Sequence, residues 1–182
     1  MSIASPRIRR REGFTIVELL IVIVVIGILA AITIVAYNGI QQRARNTTTI
    51  STVAAYKKLI DLYMASESTY PLTSSTCLQV VVGSCSSRSS TLDANLMKMG
   101  SLPSAPIYTR ITYNYQTQTV DGTSSPLLLV YLLDGTNQEC GMPGVVVQTA
   151  ALTYATDTTP PYNTSANSAG RTSCYVHIPA GF

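Results

Sequence analysis

Histidine occurs once in this chain of 182 residues, tryptophan not at all and phenylalanine twice. Charge is thin as well, 12% of residues against 46% hydrophobic. The metalloprotease pattern H-E-x-x-H, the nucleophile pattern G-x-S-x-G and a glycine-rich phosphate loop are all missing, and no two carboxylates stand out as an acid/base couple. An enzyme is therefore not expected, and no cofactor is implied. The one histidine, His177, lies between Val176 and Ile178, an alternation that suits a strand and a structural role better than a catalytic one.

No C-x-x-C spacing occurs among the four cysteines, Cys77, Cys85, Cys140 and Cys174. His177 falls three residues after Cys174, but a four-ligand zinc site has little else to build on, so no metal is expected. Two structural bridges are the simpler reading. Cys77 and Cys85 enclose a short valine-rich stretch that a bridge would staple, and Cys140 with Cys174 would complete one of three possible pairings, which spacing alone leaves open.

Clustered positive charge is missing from most of the chain. Arg7, Arg9, Arg10 and Arg11 against Glu12 account for the whole formal net charge of +3. Beyond Gly13 the bases are scattered apart from Arg43/Arg45 and Lys57/Lys58, which argues against general nucleic-acid binding.

What is present is concentrated near the start. Leu19 to Tyr37 holds no charged residue and is dominated by Ile, Val, Leu and Ala, about the length an α-helix needs to cross a bilayer. Its β-branched content would suit a strand, but strands rarely run so long. The arginines on its N-terminal side predict an N-in, C-out orientation. The apolar run is longer than a secretory signal core, and Ala30-Ala31 lies inside it, so removal on the far side is not expected. Glu18 stands at the edge of this run, where an ionised group costs several kcal/mol unless it finds a partner. A place at the headgroup boundary, where the helix dipole favours an anion, is the plainer alternative.

The segment Arg11-Glu12-Gly13-Phe14-Thr15-Ile16-Val17-Glu18-Leu19-Leu20, followed by the apolar run Ile21 to Ala31, resembles the signature of type IV prepilins. It combines a short basic leader, a glycine before an aromatic, a glutamate four residues later and a long apolar helix. The resemblance implies that a prepilin peptidase cuts between Gly13 and Phe14 on the cytoplasmic side and that Phe14 is N-methylated. It also implies that Glu18 pairs with the N-terminal amine of a neighbouring subunit, and that the helix can loosen near Gly27 in a filament. Two opposite charges in an apolar core are tolerable only when paired, so such a glutamate would set subunit register, as a lone polar residue does in a coiled coil. Many members carry a kinking proline where this chain has Val35, so the helix is expected to run straighter there.

Val53, Tyr56, Ile60 and Tyr63 recur at helical spacing with Lys57, Lys58 and Asp61 between them, which predicts one long helix from Phe14 to about Ser66 with a core-facing stripe in its second half. Helix signals stop at Ser66 to Pro71. A short helix is expected over Leu92 to Met99. Strands are expected at Arg110 to Val120, Leu127 to Leu133 and Val145 to Ala150, with turns at Asp121-Gly122 and Asp134-Gly135. An edge strand at Ser173 to Ile178 would be closed off by Pro179. The fold class is α+β: a long N-terminal helix, transmembrane in its first half, packed on a C-terminal antiparallel sheet in the ladle shape of pilins. Segments are expected at 1–13 (cytoplasmic leader), 14–37 (transmembrane and filament core), 38–66 (amphipathic half) and 67–182 (extracytoplasmic domain). Asn46-Thr47-Thr48 and Asn163-Thr164-Ser165 fit the sequon pattern.

The function expected is a structural subunit of a type IV pilus or pilus-like filament serving adhesion, twitching motility or DNA uptake. Implied partners are other pilin subunits, the prepilin peptidase/methyltransferase, an inner-membrane platform protein, assembly ATPases and, before assembly, membrane lipid. The expected location is the cytoplasmic membrane and then an extracellular pilus or a periplasmic pseudopilus. A pseudopilin of a type II secretion system or a minor pilin is the neighbouring alternative, although Glu18 favours a place in the filament body over its tip. A signal-anchored surface binding protein that never polymerises is the alternative of another class.

Overall fold

The computed structural model describes residues 13–79, 85, 88–104, 109–156, 166–167 and 170–179. The arginines of the leader, the valines between Cys77 and Cys85 and the sequon at Asn163 lie outside the described residues. The chain divides into two units, Met1–Ile40 and Gln41–Phe182.

One helix, α1 (Ile16–Glu67), continues from the first unit into the second without a break at Gly27 or Val35. It begins on a capping box: the Thr15 hydroxyl accepts the Glu18 N–H at 3.2 Å, and the Glu18 carboxylate accepts the Thr15 N–H at 2.9 Å. It ends where Ser68 turns left-handed (φ 51°) and donates its N–H to the Met64 carbonyl at 3.0 Å, just before Tyr70-Pro71 forbids continuation.

In the second unit the α1 stripe Val53, Tyr56, Ile60 and Tyr63 is buried. The short helix α2 (Ser90–Met97) is capped by the Ser89 hydroxyl and buries Leu92 and Leu96 beside that stripe. Among the described residues nine strands follow the expected composition only in part: β1 (Thr76–Cys77), β2 (Ile111–Tyr115), β3 (Thr119–Val120), β4 (Thr123–Ser124), β5 (Leu127–Asp134), β6 (Val145–Ala150), β7 (Thr153–Thr156), β8 (Ala166–Asn167) and β9 (Arg171–His177). Their order is β1-β2-β5-β9-β6-β7-β3-β4, with β8 on β9. All pairs are antiparallel except β3 with β7, which is parallel.

Two expectations are corrected. The strand expected at Arg110 to Val120 is two strands, because after Tyr115 the chain leaves β2 and β3 pairs elsewhere, on β7. Asp121 (φ 50°) and Gly122 (φ 76°) then form the two-residue turn between β3 and β4, the geometry that requires positive φ at both central positions. The C-terminal strand is central, between β5 and β6, rather than an edge. Pro179 therefore ends an interior strand just beyond its last paired residue, His177.

The unbroken apolar run of β5 follows from burial on both faces. Leu127, Leu129, Tyr131 and Leu133 join the core under α1, whereas Leu128 packs with Val120, Val146 and Tyr154 in a second cluster on the opposite face. The β3–β4 hairpin supplies Val120 to that second core.

Candidate assembly segment and domain surface

Among the described side chains from Phe14 to Ile40 the large apolar ones face outward: Phe14 is 82% exposed and Ile16 84%. An 18-residue window of α1 has a mean hydropathy of 3.3 and no residue buried by the rest of the chain. By length and composition this helix suffices to cross a membrane. Leaving such side chains in water forfeits about 1.5–3 kcal/mol each relative to burial, so this stretch requires lipid or other helices around it.

Gly13 and Phe14 precede the first helical turn. Glu18, the one carboxylate of the segment, also accepts the Thr15 hydroxyl at 2.7 Å, so its charge is held at the helix N-terminus by its own chain. The T-x-x-E pattern that announces this box is legible in the sequence and adds Thr15 to the residues of interest. A Cβ placed on Gly27 meets no atom within 4 Å. Nothing in its own chain requires glycine there, although glycine costs about 1 kcal/mol relative to alanine inside a helix.

In the second unit the first turns of α1 are fixed to the end of β5 by side chains that imitate a backbone ladder. Asn46 donates its amide to the Asp134 carbonyl and accepts the Asp134 N–H, both at 2.9 Å, while Gln42 donates to the same carbonyl at 2.7 Å. Asp134 in turn takes Arg171 at 3.3 Å and Arg45 at 4.0 Å. Gly135 continues the contact: its φ is +92°, and a Cβ there would overlap Gln42 Nε2. Asn46 is only 7% exposed, so with both amide atoms engaged it is no acceptor for a glycan in the folded chain. Its sequon has a structural origin instead.

The disulfides are Cys77–Cys85 and Cys140–Cys174, with Cα separations of 6.1 and 5.7 Å. Cys140 and Cys174 are fully buried, and the Tyr131 hydroxyl donates to the Cys140 carbonyl at 2.5 Å. Burial pushes the Tyr131 and Tyr113 hydroxyls upward from their ordinary range. No group of three metal-ligating side chains occurs among the described residues. His177 pairs through Nε2 with the Ser125 hydroxyl at 2.5 Å, and burial lowers its pKa below the usual 6.5, with Asp121 opposing that shift and Lys57 adding to it. Asp121 is occupied by the Thr156 N–H and hydroxyl, which hold its carboxyl below the usual range. Among the described residues no hydrogen bond joins Asp121 to His177, and Asp121 acts on the imidazole through its charge.

Residues 8–34 match the family model described as the prokaryotic N-terminal methylation motif. The chain is 34% identical over 65 residues to the type II secretion system core protein G of Dickeya chrysanthemi, covering 36% of this chain and 42% of that protein. It is 34% identical over 65 residues to the protein of that name in Aeromonas hydrophila, covering 36% and 46%. It is also 43% identical over 51 residues to fimbrial protein Q of Moraxella bovis, covering 28% and 32%. The chain thus spans less than half the length of these relatives. No solved structure gives a significant match. The motif at residues 8–34 and the similarity over about a third of the chain support a likeness of its N-terminal segment to the type IV pilin-like proteins.

Proposed function

We propose that the chain is a non-enzymatic structural subunit of a type IV pilus or pilus-like filament, assembled through the first half of α1. The observation that carries this reading is an outward-facing apolar helix whose one carboxylate, Glu18, stands at its first turn. Cleavage between Gly13 and Phe14 would create an α-amine four residues before Glu18, and methylation would leave it a cation. In lipid, Glu18 is satisfied by Thr15. In a helix bundle it also offers a counter-charge to the Phe14 amine of the next subunit, and a mismatch in offset strands both charges in an apolar core.

The subunit would sit in the cytoplasmic membrane N-in and C-out, be processed by the prepilin peptidase/methyltransferase, and enter the filament through a platform protein and assembly ATPases. Adhesion, twitching or DNA uptake would follow from the domain surface. The relatives named type II secretion system core protein G favour a second reading, a pseudopilin in a periplasmic filament. Nucleic-acid binding by the subunit alone is not favoured, because beyond residue 13 positive and negative charges balance.

The test is electron microscopy of sheared and envelope fractions from a strain lacking other pilins. Wild-type chain is expected to form filaments, at the surface for a pilus or within the envelope for a pseudopilus. Glu18→Ala should be processed yet fail to assemble in register. Normal filaments from Glu18→Ala would refute the charge-pairing role, and absence of filaments with an intact leader would favour the non-polymerising anchor.

A further inference from the structure

Among the described residues one polar side chain is buried without any hydrogen bond: Gln118, 2% exposed, whose Nε2 and Oε1 both reach no donor or acceptor of the chain. Buried amides rarely go unpaired, because each atom gives up a bond to water on folding.

The register of the β3–β4 hairpin fixes where this amide lies. Thr119 faces Ser124 and Val120 faces Thr123. The Ser125 N–H then donates to the Gln118 carbonyl at 3.0 Å, so Gln118 and Ser125 are the next opposed pair and project from one face. Val120, two residues along, shares that face and is buried with Leu128, Val146 and Tyr154. Ser125 is 5% exposed, and its hydroxyl meets His177 Nε2 at 2.5 Å. His177 stands opposite Leu128 across β5 and β9, on the same side of the sheet. The hairpin therefore rests on an apolar cluster with a polar corner of three side chains, Gln118, Ser125 and His177, all within the second unit.

The chemistry of that corner selects its occupant. The Gln118 amide offers one acceptor and two donors. A buried cation would satisfy only Oε1 and an anion only Nε2, each at the cost of an enclosed charge. A primary amide carries one N–H on the same side as its carbonyl, so a single water can accept from Nε2 and donate to Oε1 together. Its remaining valences then reach the opposed residue, Ser125.

We infer that a buried water molecule joins the Gln118 amide to the Ser125 hydroxyl and lets that hydroxyl change its direction when His177 takes up a proton. With the imidazole neutral, Ser125 can donate to Nε2. In the imidazolium Nε2–H must donate to Ser125, whose own hydrogen then needs another acceptor. The water is that acceptor, and its bond with Ser125 reverses. Two charges face the ring, Asp121 from the β3–β4 turn and Lys57 from α1, and both have other partners, Thr156 and Asp61. Neither receives the hydroxyl proton. Gln118 is thus a positioning residue for the proton on His177, acting through the water.

The test is water-selective nuclear magnetic resonance of the isotope-labelled full-length protein in detergent micelles. The Gln118 side-chain NH₂ is expected to show a cross-peak to water with the sign of a long-lived contact. It should persist in Ser125→Ala, which has no hydroxyl to relay exchange and leaves Gln118 in place. Absence of the cross-peak from the wild type, or its loss in Ser125→Ala, would overturn the inference. Imidazole titration is the second readout. Gln118→Met, similar in volume but without donor or acceptor, should weaken the proton affinity of His177 by about tenfold, one unit of pKa. An unchanged His177 titration in a folded Gln118→Met protein would overturn the relay.

Discussion

Replacing Asn46 by alanine removes the link that ties the start of the domain's helix to the end of β5. Two hydrogen bonds of 2.9 Å to the Asp134 backbone are lost, each contributing about 1 kcal/mol net. The Asp134 carbonyl keeps Gln42 at 2.7 Å, but its N–H loses the acceptor supplied by Asn46, and stranding a half-buried donor adds about 1–2 kcal/mol. The expected loss is about 2–4 kcal/mol, which at about 2 kcal/mol per molar of urea lowers the midpoint by about 1–2 M. The assay is urea unfolding of the detergent-solubilised full-length protein, followed by near-ultraviolet circular dichroism of its eleven tyrosines. Thr47→Ala is the control, because Thr47 is exposed and bonds only a carbonyl of its own helix; its effect should stay within about 0.5 kcal/mol. Asn46→Asp should fare no better than alanine, since it keeps the acceptor but sets a carboxylate against the Asp134 carbonyl. Equal midpoints for Asn46→Ala and Thr47→Ala would refute the docking role.

Gly135→Ala should lower stability by about 2–3 kcal/mol, from the left-handed backbone and the displaced Gln42 bond, and its effect should be smaller in a Gln42→Ala background, read by the same unfolding assay. His177, with its pKa depressed mainly by burial, resists protonation in the folded state while the unfolded chain takes up a proton near pH 6.5. Stability should therefore fall as pH drops through 6.5 toward the folded value and level off below it. His177→Gln should flatten that slope in urea midpoints taken between pH 5 and 7.5, and an unchanged slope would place the titration elsewhere.

Several elements were legible because one signal dominated. The α1 stripe at Val53, Tyr56, Ile60 and Tyr63 has helical spacing and is buried as that spacing requires. The Leu127 to Leu133 run reads as a strand covered on both sides, although what covers its second face, the β3–β4 hairpin, is set by pairing with β7 that local pattern does not encode. The break after Tyr115 falls where the alternation of Ile111, Tyr113 and Tyr115 gives way to the polar run Gln116-Thr117-Gln118-Thr119, a local signal that does not tell which strand β3 joins. The central position of β9 was hidden in the same way: Pro179 marks an end along the chain but carries no information about lateral neighbours. At the assembly segment, the position of Glu18 is legible, and the hydroxyl of Thr15 three residues before it is the local signal of its partner. Asn46 shows the converse, a sequon whose chemistry is absorbed by burial and by Asp134, which is distant in sequence.

A filament-subunit role depends most directly on what the mature N-terminus is. Mass spectrometry of the membrane-extracted chain, from cells containing the processing peptidase, should find a protein beginning at Phe14 with one methyl group on its amine, and Gly13→Ala should leave the leader attached. A wild-type chain still carrying residues 1–13 would contradict the filament-subunit account and leave α1 as a membrane anchor alone.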